Sequence, residues 1–215
     1  MRGAIAVAAI AAACGGSTPG QGASAVTPAR PPTPPATTAG DTAPGIIPPG
    51  LGSLRQDDIA IRLTQLGLAV RATPLDESVI RTLSPDSYRA LSELAASKHE
   101  EVARIARRTG QRALSSWYVT FFNTEQGEAR FTPTSLTINN VGRDFRPIEI
   151  IPLTPGFGSQ RLAQRESQSA IVLFDEALDA NQPLTLTYES VSNSGWSATL
   201  QRIERERALI RARAR

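Results

Sequence analysis

The sequence predicts an α+β protein: an antiparallel β-sandwich with a two-helix insertion and a C-terminal helix, following a disordered N-terminal linker. Three observations carry this. Apolar residues recur at helical spacing over about 74–109. They switch to period two over about 115–190, and helical spacing returns over about 198–213. Roughly 165 residues, 51–215, are enough for one domain with a real core.

The chain begins with one cation, Arg2, and an unbroken apolar run from Ala4 to Ala13. A charged start, a short apolar stretch and small residues at its end make an export signal, here residues 1–13. The run is too short to span a bilayer, which takes about 20 apolar residues. Ala11-Ala12-Ala13-Cys14 resembles a bacterial lipobox. The resemblance implies cleavage before Cys14 and lipid on that cysteine, holding the protein on the bacterial cell envelope, at the outer membrane or a periplasmic face. Cys14 is the only cysteine, so an intrachain disulfide is excluded. An ordinary cleaved signal, leaving Cys14 a free thiol, is the alternative.

Residues 14–50 are rich in Pro, Thr, Ala and Gly, with Pro31-Pro32-Thr33-Pro34-Pro35 at their centre and only Arg30 and Asp41 charged. So little apolar surface cannot offset the ordering entropy of about 1–2 kcal/mol per residue. The stretch therefore reads as a spacer between lipid and domain.

The domain opens with two alternating runs. Ile59, Ile61 and Leu63 share one face, Leu68, Val70 and Ala72 another, and Gln65-Leu66-Gly67 is the turn. Thr73-Pro74-Leu75-Asp76 predicts a first helix capped by Thr73, with Pro74 in its first turn. Ser84-Pro85-Asp86 starts a second helix running to about Arg108 and stopped by Gly110. Trp117, Val119 and Phe121 then alternate with Tyr118, Thr120 and Phe122. Leu136 and Ile138 form the next strand, Asn139-Asn140-Val141-Gly142 a turn, and Phe145 to Ile151 a strand placed at an edge or bulge by Pro147. Ala170 to Phe174 is apolar on both faces, which predicts a central strand covered on both sides. Leu184, Leu186 and Tyr188 alternate again. In the last helix Leu200, Ile203, Arg207 and Ile210 share a face.

From Trp117 to Tyr188 this order resembles the small immunoglobulin-like sandwich modules of bacterial lipoproteins. The resemblance rests on the aromatic strand 117–122, the polar approach Gln164-Arg165-Glu166-Ser167 into 170–174, and the closing strand 184–188. It implies a binding or structural part rather than an enzyme.

Catalytic chemistry has few carriers. His99 is the only histidine and sits among charged helical neighbours, and with one cysteine no zinc set forms. Asp57-Asp58 and Asp175-Glu176-Asp179 lack the spacing of a calcium loop. No phosphate-binding glycine loop appears, so neither metal nor cofactor is expected. Lys98 is the only lysine beside many arginines, and export argues against a nucleic-acid partner despite a pI near 9.6.

The resulting expectation is a non-catalytic envelope lipoprotein whose sandwich binds another envelope protein or polymer. Expected contacts are Arg143, Phe145 and Arg146, the loop residues Phe157 and Arg161, and the C-terminal Arg202, Arg205 and Arg211. A periplasmic small-ligand carrier would instead need an apolar cavity of roughly 300 Å³, and a carboxylate-based hydrolase would need acids gathered in one pocket.

Overall fold

The computed structural model describes residues 47–214. The expected signal at 1–13, Cys14 and most of the proline-rich stretch lie outside them. In chain order the elements are β1 (Ile61–Gln65), β2 (Leu68–Pro74), α1 (Glu77–Ile80), α2 (Pro85–Thr109), β3 (Leu114–Asn123), β4 (Ala129–Arg130), β5 (Leu136–Asn140), β6 (Arg143–Phe145), β7 (Glu149–Pro152), β8 (Arg161–Leu162), β9 (Ser167–Asp175), β10 (Leu184–Tyr188), β11 (Val191–Asn193) and α3 (Trp196–Arg213).

The strands form a larger sheet of order β1-β2-β3-β9-β7, a smaller sheet of order β11-β10-β5-β6, and a β4–β8 pair. Every named pairing is antiparallel. The two sheets share one core. Phe121 of β3 lies 5.8 Å from Tyr188 of β10, stacks on Phe131 at 4.6 Å, and meets Phe157 at 6.2 Å. The Tyr188 hydroxyl accepts a hydrogen bond from the Thr132 amide at 2.9 Å, so its polar end is satisfied. At the other end Trp117 packs 6.2 Å from Trp196 of α3, whose indole N–H donates to the Ala180 carbonyl.

Alternation decides which side chains enter this core. Trp117, Val119 and Phe121 pair with Val172, Ala170 and Gln168 on the inner face, while Ser116, Tyr118 and Thr120 pair with Leu173, Ile171 and Ser169 on the outer face. Ala170 to Phe174 is buried throughout and lies between β3 and β7, as its unbroken apolar run requires. The smaller sheet covers its inner side chains. On the outer side α2 lies over the end of the sheet where β3 begins, burying Leu91, Ile105 and Ala106 and pairing Arg108 with Glu149 of β7.

Two hairpins turn on two residues, both at positive φ: Leu66 (+42°) with Gly67 (+74°), and Val141 (+50°) with Gly142 (+79°). Such turns match the right-handed twist of the flanking strands. Glycine suits them, whereas leucine and β-branched valine are strained there. Both are exposed, at 89% and 74%.

Several expectations are corrected. Thr73 and Pro74 do not start a helix. They belong to β2, opposite Tyr118 and Trp117, and the cap of the single-turn α1 is Asp76, whose carboxylate accepts from the Ser78 amide at 2.8 Å. The ladder to β3 outweighs the local capping signal. Phe145 to Ile151 is not one strand. The chain leaves the smaller sheet after Phe145 and joins the larger at Glu149, with Pro147 in the crossing, where its missing N–H costs no ladder bond. Asn139 and Asn140 are strand residues. The Asn140 side chain ties β5 to the β9–β10 connection, donating to the Asp179 and Pro183 carbonyls and accepting from the Asp179 amide.

Phe157 is the sharpest correction. It is 4% exposed and edge-on to Phe131 at 5.2 Å, because the 152–158 loop folds back over the aromatic cluster. Phe157→Ala should lower stability by about 3–5 kcal/mol, which for a domain of this size is a melting-temperature drop of about 10 °C. A thermal melt showing no change would contradict this placement.

Candidate functional site

The uncovered part of the larger sheet emerges from the same register. Past the end of the α2 cover, two rows of outer-face residues lie open. One row is Thr64, Ala69, Phe122 and Ser167 on β1, β2, β3 and β9. The next is Arg62, Arg71, Thr120 and Ser169. A shallow groove of about 440 Å³ runs over all of these but Ser169. Phe122 is the one large apolar side chain on this face, 37% exposed. Around it are hydroxyls: Ser169 Oγ is 3.2 Å from both the Tyr118 hydroxyl and Thr120 Oγ1.

Arg62 and Arg71 sit directly opposite each other across β1 and β2. Like charges in that position repel. Asp57, in the turn before β1, relieves this with one carboxylate oxygen on each guanidinium, at 2.9 and 2.7 Å. Slight burial alone would raise the Asp57 pKa, but the hydrogen bonds from Arg62 and Arg71 outweigh it and hold the carboxyl below its ordinary 3.8. The patch therefore carries two cations and one anion.

A second concavity lies between α2 and the sheet. It holds about 260 Å³, is lined by Leu75, Ala95, Val102, Ala106, Leu114 and Ile171, and has Lys98, His99 and Arg112 around it.

The residues expected as contacts do not gather. Cys14 lies outside the described residues. Phe145 and Phe157 are core, each 4% exposed. Arg143 covers the edge of that core, 4.7 Å above the Phe145 ring, and pairs with Asp175. Arg146 is exposed beside the sheet crossing. Arg161 pairs with Glu128 at the β4–β8 pair. Arg202 is bound to Asp58 at 2.9 Å, holding α3 to the segment before β1. Arg205 and Arg211 are exposed on α3.

The acids are similarly occupied. Asp175 meets Arg143 and Gln111, Glu176 meets Arg112, and Glu206 accepts from the Ser53 amide. Among the described residues no three His, Cys, Asp or Glu side chains are grouped to hold a metal ion.

Arg62, Arg71, Thr64, Thr120 and Ser167 form one surface that the sequence alone does not reveal. The signal was the parity opposite to Ile61, Leu63, Val70 and Val119, but joining those positions required the hairpin register.

The fold is thus α+β, two packed antiparallel sheets with a helix over one end of the larger sheet and a C-terminal helix, and its most distinctive surface is the open remainder of that sheet. Comparison with protein-family models, curated proteins and solved structures yields no significant match. No helix among the described residues is long and apolar enough to cross a membrane.

Asp57→Asn should cost less than about 1 kcal/mol at neutral pH, as expected for a solvated ion pair. Because folding lowers the Asp57 pKa, its contribution is present above pH 3.8 and is lost as pH falls through the lower folded value. The stability gap between wild type and variant, from denaturant melts, should narrow below about pH 4. A gap constant down to pH 2 would contradict the bridge.

Proposed function

We propose that this protein is a non-catalytic lipoprotein of the bacterial cell envelope, anchored through Cys14, whose sandwich binds another envelope protein or polymer. The observation that carries the binding half is the open sheet face: an exposed aromatic ring, paired arginines and a row of hydroxyls on rigid strands, left bare while α2 covers the rest of the same surface. Rigid strands hold such groups in place, so little ordering cost attends binding. The anchoring half rests on the apolar run ending at Cys14 and the proline-rich spacer behind it.

We read the sandwich as immunoglobulin-like. The order β2-β3-β9-β7 corresponds to strands A-B-E-D of that fold, and β11-β10-β5-β6 to G-F-C-C′. β1 is then an added strand beyond A, and α1 and α2 lie in the A–B connection. No cysteine pair pins the sheets; the aromatic cluster of Phe121, Phe131, Phe157 and Tyr188 occupies one end of the space between them.

The anchor is tested by expressing the full-length chain in a bacterial host and taking the intact mass of the mature product beside Cys14→Ser. The expected wild-type mass begins at Cys14 with added acyl groups, and the substitution moves the protein from the membrane fraction to the soluble fraction. An unmodified wild-type mass would contradict the anchored reading.

A further inference from the structure

We propose that the open face of the larger sheet recognises the sugar–peptide polymer of the bacterial cell wall, with sugar rings on Phe122 and stem-peptide carboxylates at Arg62 and Arg71. This rests on the envelope-binding reading above and names the chemistry of its partner.

The face is a grid fixed by register. Strands lie about 4.8 Å apart and same-face residues about 6.8 Å apart along a strand. Thr64, Ala69, Phe122 and Ser167 therefore span about 15 Å in one row, with Arg62, Arg71 and Thr120 about 7 Å away in the next. That is a long, flat footprint, suited to a short run of linked sugar rings rather than a compact ligand.

Each part has a chemical counterpart. A sugar ring presents a C–H face that packs on an aromatic ring, and Phe122 offers one beside the small Ala69. Sugar hydroxyls both donate and accept, as do Thr64, Thr120 and Ser167. The guanidinium fork matches a carboxylate with two parallel hydrogen bonds. Asp57 contacts Arg62 through Nη2 and Arg71 through Nη1, leaving further donors on side chains that are 58% and 38% exposed. Two cations against one acid leave a net positive charge for an anion to meet.

Other macromolecules fit less well. An added peptide strand needs a bare sheet edge. The β1 edge is held at both ends, where the Asn193 side chain of β11 donates to the Arg62 carbonyl at 2.8 Å and the Gln65 side chain donates to Glu189 at 2.9 Å. An anionic lipid surface is held at about 1 kcal/mol per cation, and one net charge gives little.

The test is co-sedimentation of the full-length chain with purified peptidoglycan sacculi, with sacculi whose carboxyls have been amidated, and with anionic phosphatidylglycerol vesicles. Variants are Arg62→Ser with Arg71→Ser, Phe122→Ser, and Arg104→Ser, exposed on α2, as the control, each checked by thermal melt. Expected are retention on native sacculi, at least tenfold weaker retention after amidation, and a comparable loss for the Arg pair and for Phe122→Ser while Arg104→Ser binds as wild type. Equal retention of wild type and the folded Arg-pair variant would overturn the inference, as would insensitivity to amidation. Retention of the unacylated Cys14→Ser chain by vesicles and not by sacculi would overturn it in favour of a lipid surface. Failure to bind sacculi by a chain whose Cys14 is acylated would overturn the inference while leaving the anchored protein standing.

Discussion

The structure depends on the ladder between β3 and β9. Nine register pairs, from Leu114 opposite Asp175 to Phe122 opposite Ser167, join the first half of the domain to the second. They fix which side chains face the smaller sheet and which face outward. A one-residue slip would exchange Trp117, Val119 and Phe121 with Tyr118, Thr120 and Phe122. It would bury hydroxyls among aromatic rings and expose the core. The cost of that exchange pins the register, and the register in turn assembles the open face from four strands.

The outer side of the ladder divides because its composition divides. Ile171, Leu173 and Ile151 are apolar and need cover, and α2 supplies it. Thr120, Ser167 and Ser169 do not, and the helix stops short of them. The C-terminal helix has a different task. Arg207 donates to the Ser78 carbonyl and to Asn181, Glu206 accepts from Ser53, and Arg213 donates to the Leu51 carbonyl. These bonds fasten α3 to the chain leading into β1 and to α1. Much of the arginine-rich C-terminus is therefore holding the domain together, and removing a partner of the buried Arg207 would leave its charge stranded.

The fold was legible where periodicity was strong. The alternation of β1, β2, β3 and β10, the long α2 ended by Gly110, the doubly covered run 170–174, and the buried face of Ile203, Arg207 and Ile210 all follow from spacing alone. Legibility failed where a long-range contact overrode a local signal. Thr73-Pro74 has the chemistry of a helix start but lies in a ladder. Phe157, flanked by two glycines, looks like an exposed loop tip, yet the aromatic cluster draws it in. Phe145 sits between two arginines and is nonetheless core, with Arg143 lying over it. The short β4, β8 and β11 carry too few residues for a period to show. The candidate site was illegible for a related reason. Its residues are the half of each strand that does not form the core, and they become one surface only once four strands are aligned.

The central claim is that the open sheet face, rather than the loops or the C-terminal helix, is what this protein presents to its surroundings. The most direct measurement places a photo-crosslinking residue at position 122 in the full-length chain in living cells, with a matched probe at exposed position 209 on α3. The account predicts envelope-derived adducts from position 122 and few from position 209. Adducts from position 209 with none from position 122 would contradict it.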